Sequence, residues 1–303
     1  IVDTSEGGCP PLKIKGGQQL TGIHYHLPMA SAQVKSCVML AGLYAQGHTS
    51  VTEPAPTRDH TERMLKGFGY AVERTVDTCS IVGQGQLLAT NIDVPSDISS
   101  ATFFLVAAAI CPASDLVIEH VGMNPTRIGV INILRLMGAD LTVRNEREVG
   151  GEPVADLHIK YAPLTGIHVP EDQVPLAIDE FPALMVAAAC ASGTTLITGA
   201  EELRVKESDR IQAMVDGLSA MGVTIEGTAD GAIIQGMGAD KRFGSAQIVT
   251  HHDHRIAMAF TIAGLRAEAD IKILDCAHVA TSFPNFVELA RTVGMTLDEE
   301  YQS

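Results

Sequence analysis

The feature that most constrains this chain is a unit repeated four times: an apolar helix pattern runs into a strand, and an amphipathic helix then ends at a glycine. The first members span residues 31–54, 99–121, 179–202 and 253–277. The second members end at Gly69, Gly138, Gly222 and Gly294, each followed by a segment that reads as extended (YAVE, ADLTV, VTIE and MTLD). A helix–strand unit recurring at this size copies one architecture along the chain. The first helix of each unit is apolar nearly all round, which predicts burial between layers. The second is one-sided. Ile211, Met214, Leu218 and Met221 share a face, and so do Phe286, Leu289, Ala290 and Val293.

Each closing glycine suits the left-handed position that ends a helix. Ser31, Ser99, Asp179 and Asp253 stand at the helix starts and are good N-cap types. Asp59 with Glu62 predicts a capping box. Turn-rich strand segments at 79–90, 156–169 and 231–237 complete the units. Each unit therefore reads as a βαβαββ module with its helices packed inside sheets, an α/β chain with a boundary near Val94–Pro95.

At 303 residues the chain is long enough for about two domains, each with its own core. Mean hydropathy is +0.17, yet no window offers the 18 or so uncharged apolar residues that a membrane span needs. The richest stretch, Phe103 to Ile110, suits a buried helix. The opening residues have neither a basic start nor an apolar core, so no signal peptide is read there. The chain also lacks an initiator Met, and Ile1 is not expected to be a natural N-terminus.

Six cysteines carry no CxxC spacing. Cys37, Cys111 and Cys190 fall inside apolar helix patterns, where Cys acts as a small hydrophobe. A reducing cytoplasm is the expected setting. A formal charge of −15 and the absence of Trp argue against nucleic acid as a partner. A small anionic ligand is still allowed, because a few cations can reverse the potential inside a cleft.

Four segments concentrate charge at helix starts: 204–210 (RVKESDR), 251–255 (HHDHR), 176–182 (LAIDEFP) and 54–62 (PAPTRDHTE). Helix N-termini already favour anions. Arg or Lys in the same turn opposes simple helix stabilisation, and makes sense if an anion sits there. One such cluster alone is more often a solvated ion pair, but four at equivalent positions of repeated units shift the balance. HHDH has the composition of a zinc site. Adjacent histidines do not share a helical face, however, and no HExxH or CxxC partner exists, so capping by Asp253 accounts for it better. Gly83-Gln-Gly85 lacks the third glycine of a dinucleotide fingerprint and the helix that should follow.

The ordered motifs SAQVKS, TRDHTERML, SSATFF, IDEFPAL, RVKESDR, HHDHRIAM and ATSFPNF together resemble the 5-enolpyruvylshikimate-3-phosphate synthase family, the 3-phosphoshikimate 1-carboxyvinyltransferases, over essentially the whole chain. TRDHTE and ATSFP resemble the bacterial branch that includes glyphosate-tolerant members of this glyphosate-target family. The resemblance implies a two-domain enolpyruvyl transferase fold, an inside-out α/β barrel of βαβαββ modules. Residues 95–303 would form one three-module domain carrying most catalytic residues. Residues 1–94 would be the last part of the shikimate-phosphate-binding domain, incomplete because the family's N-terminal third has no counterpart here. A monomer in the cytoplasm is implied, with no metal or redox cofactor, and this chain alone is expected to be inactive.

The implied reaction moves the enolpyruvyl group of phosphoenolpyruvate onto the 5-hydroxyl of shikimate 3-phosphate by addition and then elimination of phosphate. Several cations must hold two phosphates and two carboxylates together, while a base takes the hydroxyl proton and an acid protonates the methylene carbon. By resemblance Asp179 is the base, and Glu207 and Lys206 transfer protons at the enolpyruvyl carbon. Lys206, Arg210 and Arg255 bind phosphoenolpyruvate. Ser31, Ala32, Gln33 and Arg58, with Asp179 and Lys206, bind shikimate 3-phosphate; Ala32 stands where many members have a second Ser. His254 is a weaker candidate, and Thr281 occupies a position that is Lys in other members. From the residues alone, Asp179 is equally a helix cap, Glu207 equally an i,i+3 partner of Arg210, and Gln33 an ordinary first-turn residue. Two other functions stay open: a UDP-N-acetylglucosamine enolpyruvyl transferase, which shares fold and donor, and a non-catalytic binding remnant of the fold.

Overall fold

The computed structural model describes residues 2–300, and the chain divides into two compact units. The first comprises the residues up to Asp93 with Val149–Glu152, and the second Val94–Glu148 with the residues from Pro153 onward.

In the first unit, β1 (Val2–Asp3) and β2 (Lys13–Ile14) form a short antiparallel ribbon. The module proper follows: β3 (His24–His26), α1 (Ala32–Gly42), β4 (His48–Thr52), α2 (His60–Gly67), β5 (Glu73–Arg74) and β6 (Thr78–Val82). Its sheet runs β3-β4-β6-β5, with β3 parallel to β4 and the other pairs antiparallel. A helix crossover between parallel strands followed by an antiparallel pair is the βαβαββ order read from the sequence.

The second unit repeats it: α3 (Ile98–Ile110), β7 (Asp115–Gly122), α4 (Gly129–Leu136), β8 (Asp140–Val149) and β9 (Glu152–Lys160); then α5 (Phe181–Cys190), β10 (Ser192–Ile197), α6 (Arg210–Ala220), β11 (Thr224–Gly227) and β12 (Ala232–Met237). The last group is β13 (Gln247–Val249), α7 (His254–Gly264), β14 (Lys272–Leu274), α8 (Val279–Ser282) and α9 (Phe286–Thr292). The parallel leading strand of each module survives as β13 beside β14, or as bridges at Ser96–Val121 and His168–Leu196.

The three inner helices α3, α5 and α7 pack against one another. Every residue of α5 is buried, and α3 is buried along nearly its whole length. A helix with neighbours on all sides has no face on which polar residues are tolerated, so its pattern loses periodicity. The outer helix α6 keeps the predicted stripe, with Ile211, Met214, Leu218 and Met221 all at 0% exposure. All four closing glycines have positive φ.

Several expectations are corrected. Helix α1 is not buried all round: Lys35, Met39 and Gly42 turn inward, while Val34, Leu40 and Cys37 are exposed. It packs chiefly on its own sheet, with α2 touching it through Ser36–Thr61 and Lys35–Glu62, whereas each inner helix of the second unit packs against two others. On α9 only Phe286 and Ala290 are buried, and Leu289 and Val293 face solvent. MTLD forms no strand, so no sheet like that of β11 and β12 covers its outer side.

Ser99 is not a cap, because Asp97 accepts from the Ser100 N–H and caps α3. Asp179 is not the N-cap residue of α5: it lies inside the 3-10 turn Ile178–Glu180 ahead of that helix. Asp59 with Glu62 makes no capping box, because the Glu62 carboxylate is drawn inward to Lys35. Gly83 and Gly85 are structural: a Cβ would meet the Ala45 carbonyl oxygen at 2.0 Å and the Tyr70 ring at 2.8 Å, respectively. Gly236 abuts Ala191 at the same point of the third module. In these two modules glycine lets the chain leaving or within the last strand pass close to the end of the first helix.

Candidate active site

Three chain segments of the second unit bring charge to one place, each through a helix start. His251 and His252 both take left-handed backbone angles, turning the chain so that Asp253 enters the N-cap of α7. There its carboxylate accepts the Arg255 N–H at 2.9 Å. Asp209 caps α6 in the same way, accepting from the Gln212 N–H, and Arg210 becomes the first helical residue with its side chain directed inward. The 3-10 turn Ile178–Glu180 presents Asp179 beside them.

Arg210 is 1% exposed. Its Nε donates to Asp253 Oδ2 at 2.8 Å, and its Nη2 donates to Glu207 Oε2 at 2.6 Å. Its Nη1 lies 3.5 Å from Asp179 Oδ1 and has no hydrogen-bond partner, although a buried donor without one costs about 1–3 kcal/mol. Arg255 Nη1 donates to the Asp179 carbonyl at 3.1 Å, and Nη2 stands 3.9 Å from Asp179 Oδ2. Lys206 Nζ lies 3.6 Å from Asp179 Oδ1 and also bonds Glu202. One carboxylate thus faces three cations from two other segments.

Two residues that sequence reasoning did not single out complete the cluster. Glu180 is fully buried; Ser99 donates to it, and Arg127 lies 3.7 Å away. Arg127 also donates to the Ser99 hydroxyl at 2.5 Å. Glu180 is 4.0 Å from Arg255 Nη1. Burial holds its carboxyl above the usual range, against the opposing pull of Arg127, Ser99 and Arg255. The adjacent acidic pair in IDEFP was visible in the sequence, but Arg127 stands in the turn between β7 and α4, outside the four charged segments.

Burial also tends to raise the Asp253 carboxyl, but hydrogen bonding and charge from Arg210, with the Arg255 N–H and Ser208, outweigh it and leave it below the usual value. His254, half-buried at the start of α7, is held below the ordinary imidazole range by burial and then by Arg255, against the pull of Asp253 and Glu207. Among side chains no more than 21% exposed, the cluster holds four cations (Lys206, Arg210, Arg255, Arg127) and three carboxylates (Asp179, Glu180, Asp253). Glu202 and Glu207 are at least half exposed, so water screens them. Among the shielded side chains cations therefore outnumber carboxylates, despite the acidic chain.

Of the expected residues, Asp179, Lys206, Glu207, Arg210 and Arg255 come together, with His254 beside them. The i,i+3 pairing of Glu207 with Arg210 is present as well. Thr281 does not join: it lies exposed on α8 and donates its hydroxyl to the His278 carbonyl at 2.6 Å. Among the described residues no group of three or more His, Cys, Asp or Glu is placed to hold a metal ion, and no helix is long and apolar enough to cross a membrane.

In the first unit Ser31 caps α1, its Oγ accepting the Val34 N–H at 3.3 Å. Ala32 is the first helical residue and has no hydroxyl to offer. Gln33 is exposed on that first turn, and Arg58 is half-buried on the loop between β4 and α2.

Comparison with known proteins agrees with this picture. The family model described as EPSP synthase (3-phosphoshikimate 1-carboxyvinyltransferase) matches residues 1–289. The chain is 62% identical over 297 residues to the 3-phosphoshikimate 1-carboxyvinyltransferase of Methylococcus capsulatus, covering 98% of this chain and 67% of that protein. It is 64% identical over 301 residues to the enzyme of the same name from Hydrogenovibrio crunogenus, with the same coverage. A solved EPSP synthase from Acinetobacter baumannii superposes with a TM-score of 0.92 at 62% identity, covering 98% of this chain and 68% of that one. The chain spans about two thirds of the length of these relatives.

Proposed function

This chain belongs to the EPSP synthase family, and from that premise we propose that the protein transfers the carboxyvinyl group of phosphoenolpyruvate to the 5-hydroxyl of shikimate 3-phosphate, releasing phosphate. It is then a transferase of the shikimate pathway, which supplies aromatic amino acids. The observation that carries the reading is the meeting of Lys206, Arg210 and Arg255 at Asp179.

In the addition step a base removes the 5-hydroxyl proton while the oxygen attacks C2 of phosphoenolpyruvate and a proton is added at C3. Elimination then removes a proton from C3 and expels phosphate. Asp179 serves as the base, its carboxylate oriented by the three cations around it. Lys206 and Glu207 carry the proton to and from C3. Glu207 lies at the rim of the cluster, where it can exchange protons with solvent. Arg210, with its Nη1 unpartnered, and Arg255 hold phosphoenolpyruvate in the forked geometry that favours guanidinium over ammonium. Ser31, Gln33 and Arg58 bind shikimate 3-phosphate, with the Ala32 methyl leaving one hydrogen bond unmade. His254 orders the start of α7, and Thr281 is a peripheral candidate. A cytoplasmic monomer with small anionic metabolites as partners fits the six unpaired cysteines.

The test is phosphate release from phosphoenolpyruvate that depends on shikimate 3-phosphate, measured on the whole enzyme carrying these residues. Arg255→Ala should lower kcat/KM by about 10²-fold, and Arg255→Lys should not restore it. Absence of shikimate 3-phosphate-dependent release from the unaltered enzyme sinks the reading. We also propose that this chain alone has little turnover; release at the rate of the whole enzyme refutes that point alone.

A further inference from the structure

Lys35 is completely buried in the first unit, an arrangement that costs several kcal/mol of desolvation before any pairing offsets it. Its Nζ lies 3.0 and 3.1 Å from the two oxygens of Glu53 and 2.8 Å from Glu62 Oε1. Arg74 closes the cluster, with Nη1 3.1 Å from Glu62 Oε1 and Nη2 3.6 Å from Glu53 Oε1. Two cations and two carboxylates balance, joining α1, the end of β4, α2 and β5. Buried ion clusters of this kind are often replaceable by apolar side chains without loss of stability. Folding energy alone therefore does not account for this one.

Its position does. Lys35 stands one turn after Ser31 and two residues after Gln33. Glu53 and Glu62 flank the loop that carries Arg58, so one ammonium group fixes both ends of that loop. From inside, Glu53 Oε2 accepts the Thr57 N–H at 3.1 Å and the Thr57 hydroxyl as well. The residue next to Arg58 is thereby tied, through Glu53 and Lys35, to the helix start that carries Ser31 and Gln33.

We propose that the buried Lys35–Glu53–Glu62–Arg74 cluster, acting through Thr57, positions Arg58 for the shikimate 3-phosphate phosphate group. None of the five touches substrate; they are positioning residues. The proposal rests on the reading that Ser31, Gln33 and Arg58 bind this substrate.

The experiment uses the whole enzyme and varies Thr57, which is half-buried on a loop. Thr57→Val should raise the KM for shikimate 3-phosphate about fivefold or more, with kcat and the KM for phosphoenolpyruvate within twofold of wild type. Thr57→Ser, which keeps the hydroxyl, should restore the wild-type value. Glu53→Gln should shift the same KM in the same direction. In an Arg58→Ala background Thr57→Val should add less than twofold, because its effect passes through Arg58. An unchanged KM for shikimate 3-phosphate, equal effects on both substrates, or full additivity with Arg58→Ala overturns the positioning role while the proposed reaction stands. A wild-type enzyme without shikimate 3-phosphate-dependent turnover overturns the reaction and this role with it.

Discussion

Asp253 makes more of the candidate site than any other single residue. It caps α7, accepts from Ser208 and holds Arg210, all without exposure to water. Removing one partner of a buried ion pair leaves the other charge uncompensated, so Asp253→Asn should cost about 3–5 kcal/mol near neutral pH. The folded-state carboxyl lies below its ordinary 3.8. Its contribution is therefore present above that ordinary value and is lost as pH falls through the lower folded value. Urea unfolding of both proteins near pH 7 and near pH 3 checks this, since the stability gap should narrow at the acid end. A gap independent of pH would show that the aspartate acts by shape rather than charge. The sequence pattern HHDHR showed the cap, but not its second partner 43 residues earlier in the chain.

At the scale of elements, α6 and α7, whose first turns carry Arg210 and Arg255, cross closely. Gly217 makes it possible: a Cβ there would lie 2.1 Å from Phe260 Cζ, and Phe260 is 0% exposed. Gly217→Ala gains about 1 kcal/mol in helix propensity and loses about 1–3 kcal/mol to overpacking, so a net loss is expected. Phe260→Leu relieves the contact, and the double variant should lose less than the two single changes together. Additive losses in urea unfolding would place the strain elsewhere. The repeat was legible in the sequence because three inner helices need apolar residues on every face. Helix α1 broke the expectation because it packs chiefly on one sheet and does not sit among inner helices.

At the scale of the whole molecule, the two units hold separate cores of unequal size. That of the first has seven buried side chains, Leu27, Met39, Val51, Leu65, Tyr70, Cys79 and Ile81. That of the second runs from Ile98 to Met295 through three helix layers. Stability follows buried apolar area, and opening of the smaller core should need less free energy than opening of the larger. Hydrogen exchange followed by mass spectrometry should find the amides of α1, β4 and β6 less protected than those of α3, α5 and α7. Equal protection would mean that the first unit draws its stability from something other than its own core.

The amino-acid sequence by itself determined the modules, the family resemblance and the residues that carry charge at helix starts. Local periodicity, capping chemistry and turn glycines are written in neighbouring positions. Only the tertiary structure decided that Ser99 serves Glu180 rather than its own helix, that Arg127 joins the cluster, and that the Thr281 hydroxyl bonds the His278 carbonyl. It also turned Glu62 from a predicted cap into a partner of a buried lysine. The physical reason is the same in each case. A polar side chain has several partners of similar strength within reach of its backbone, and burial, which no local pattern encodes, selects among them by making an unpaired group costly.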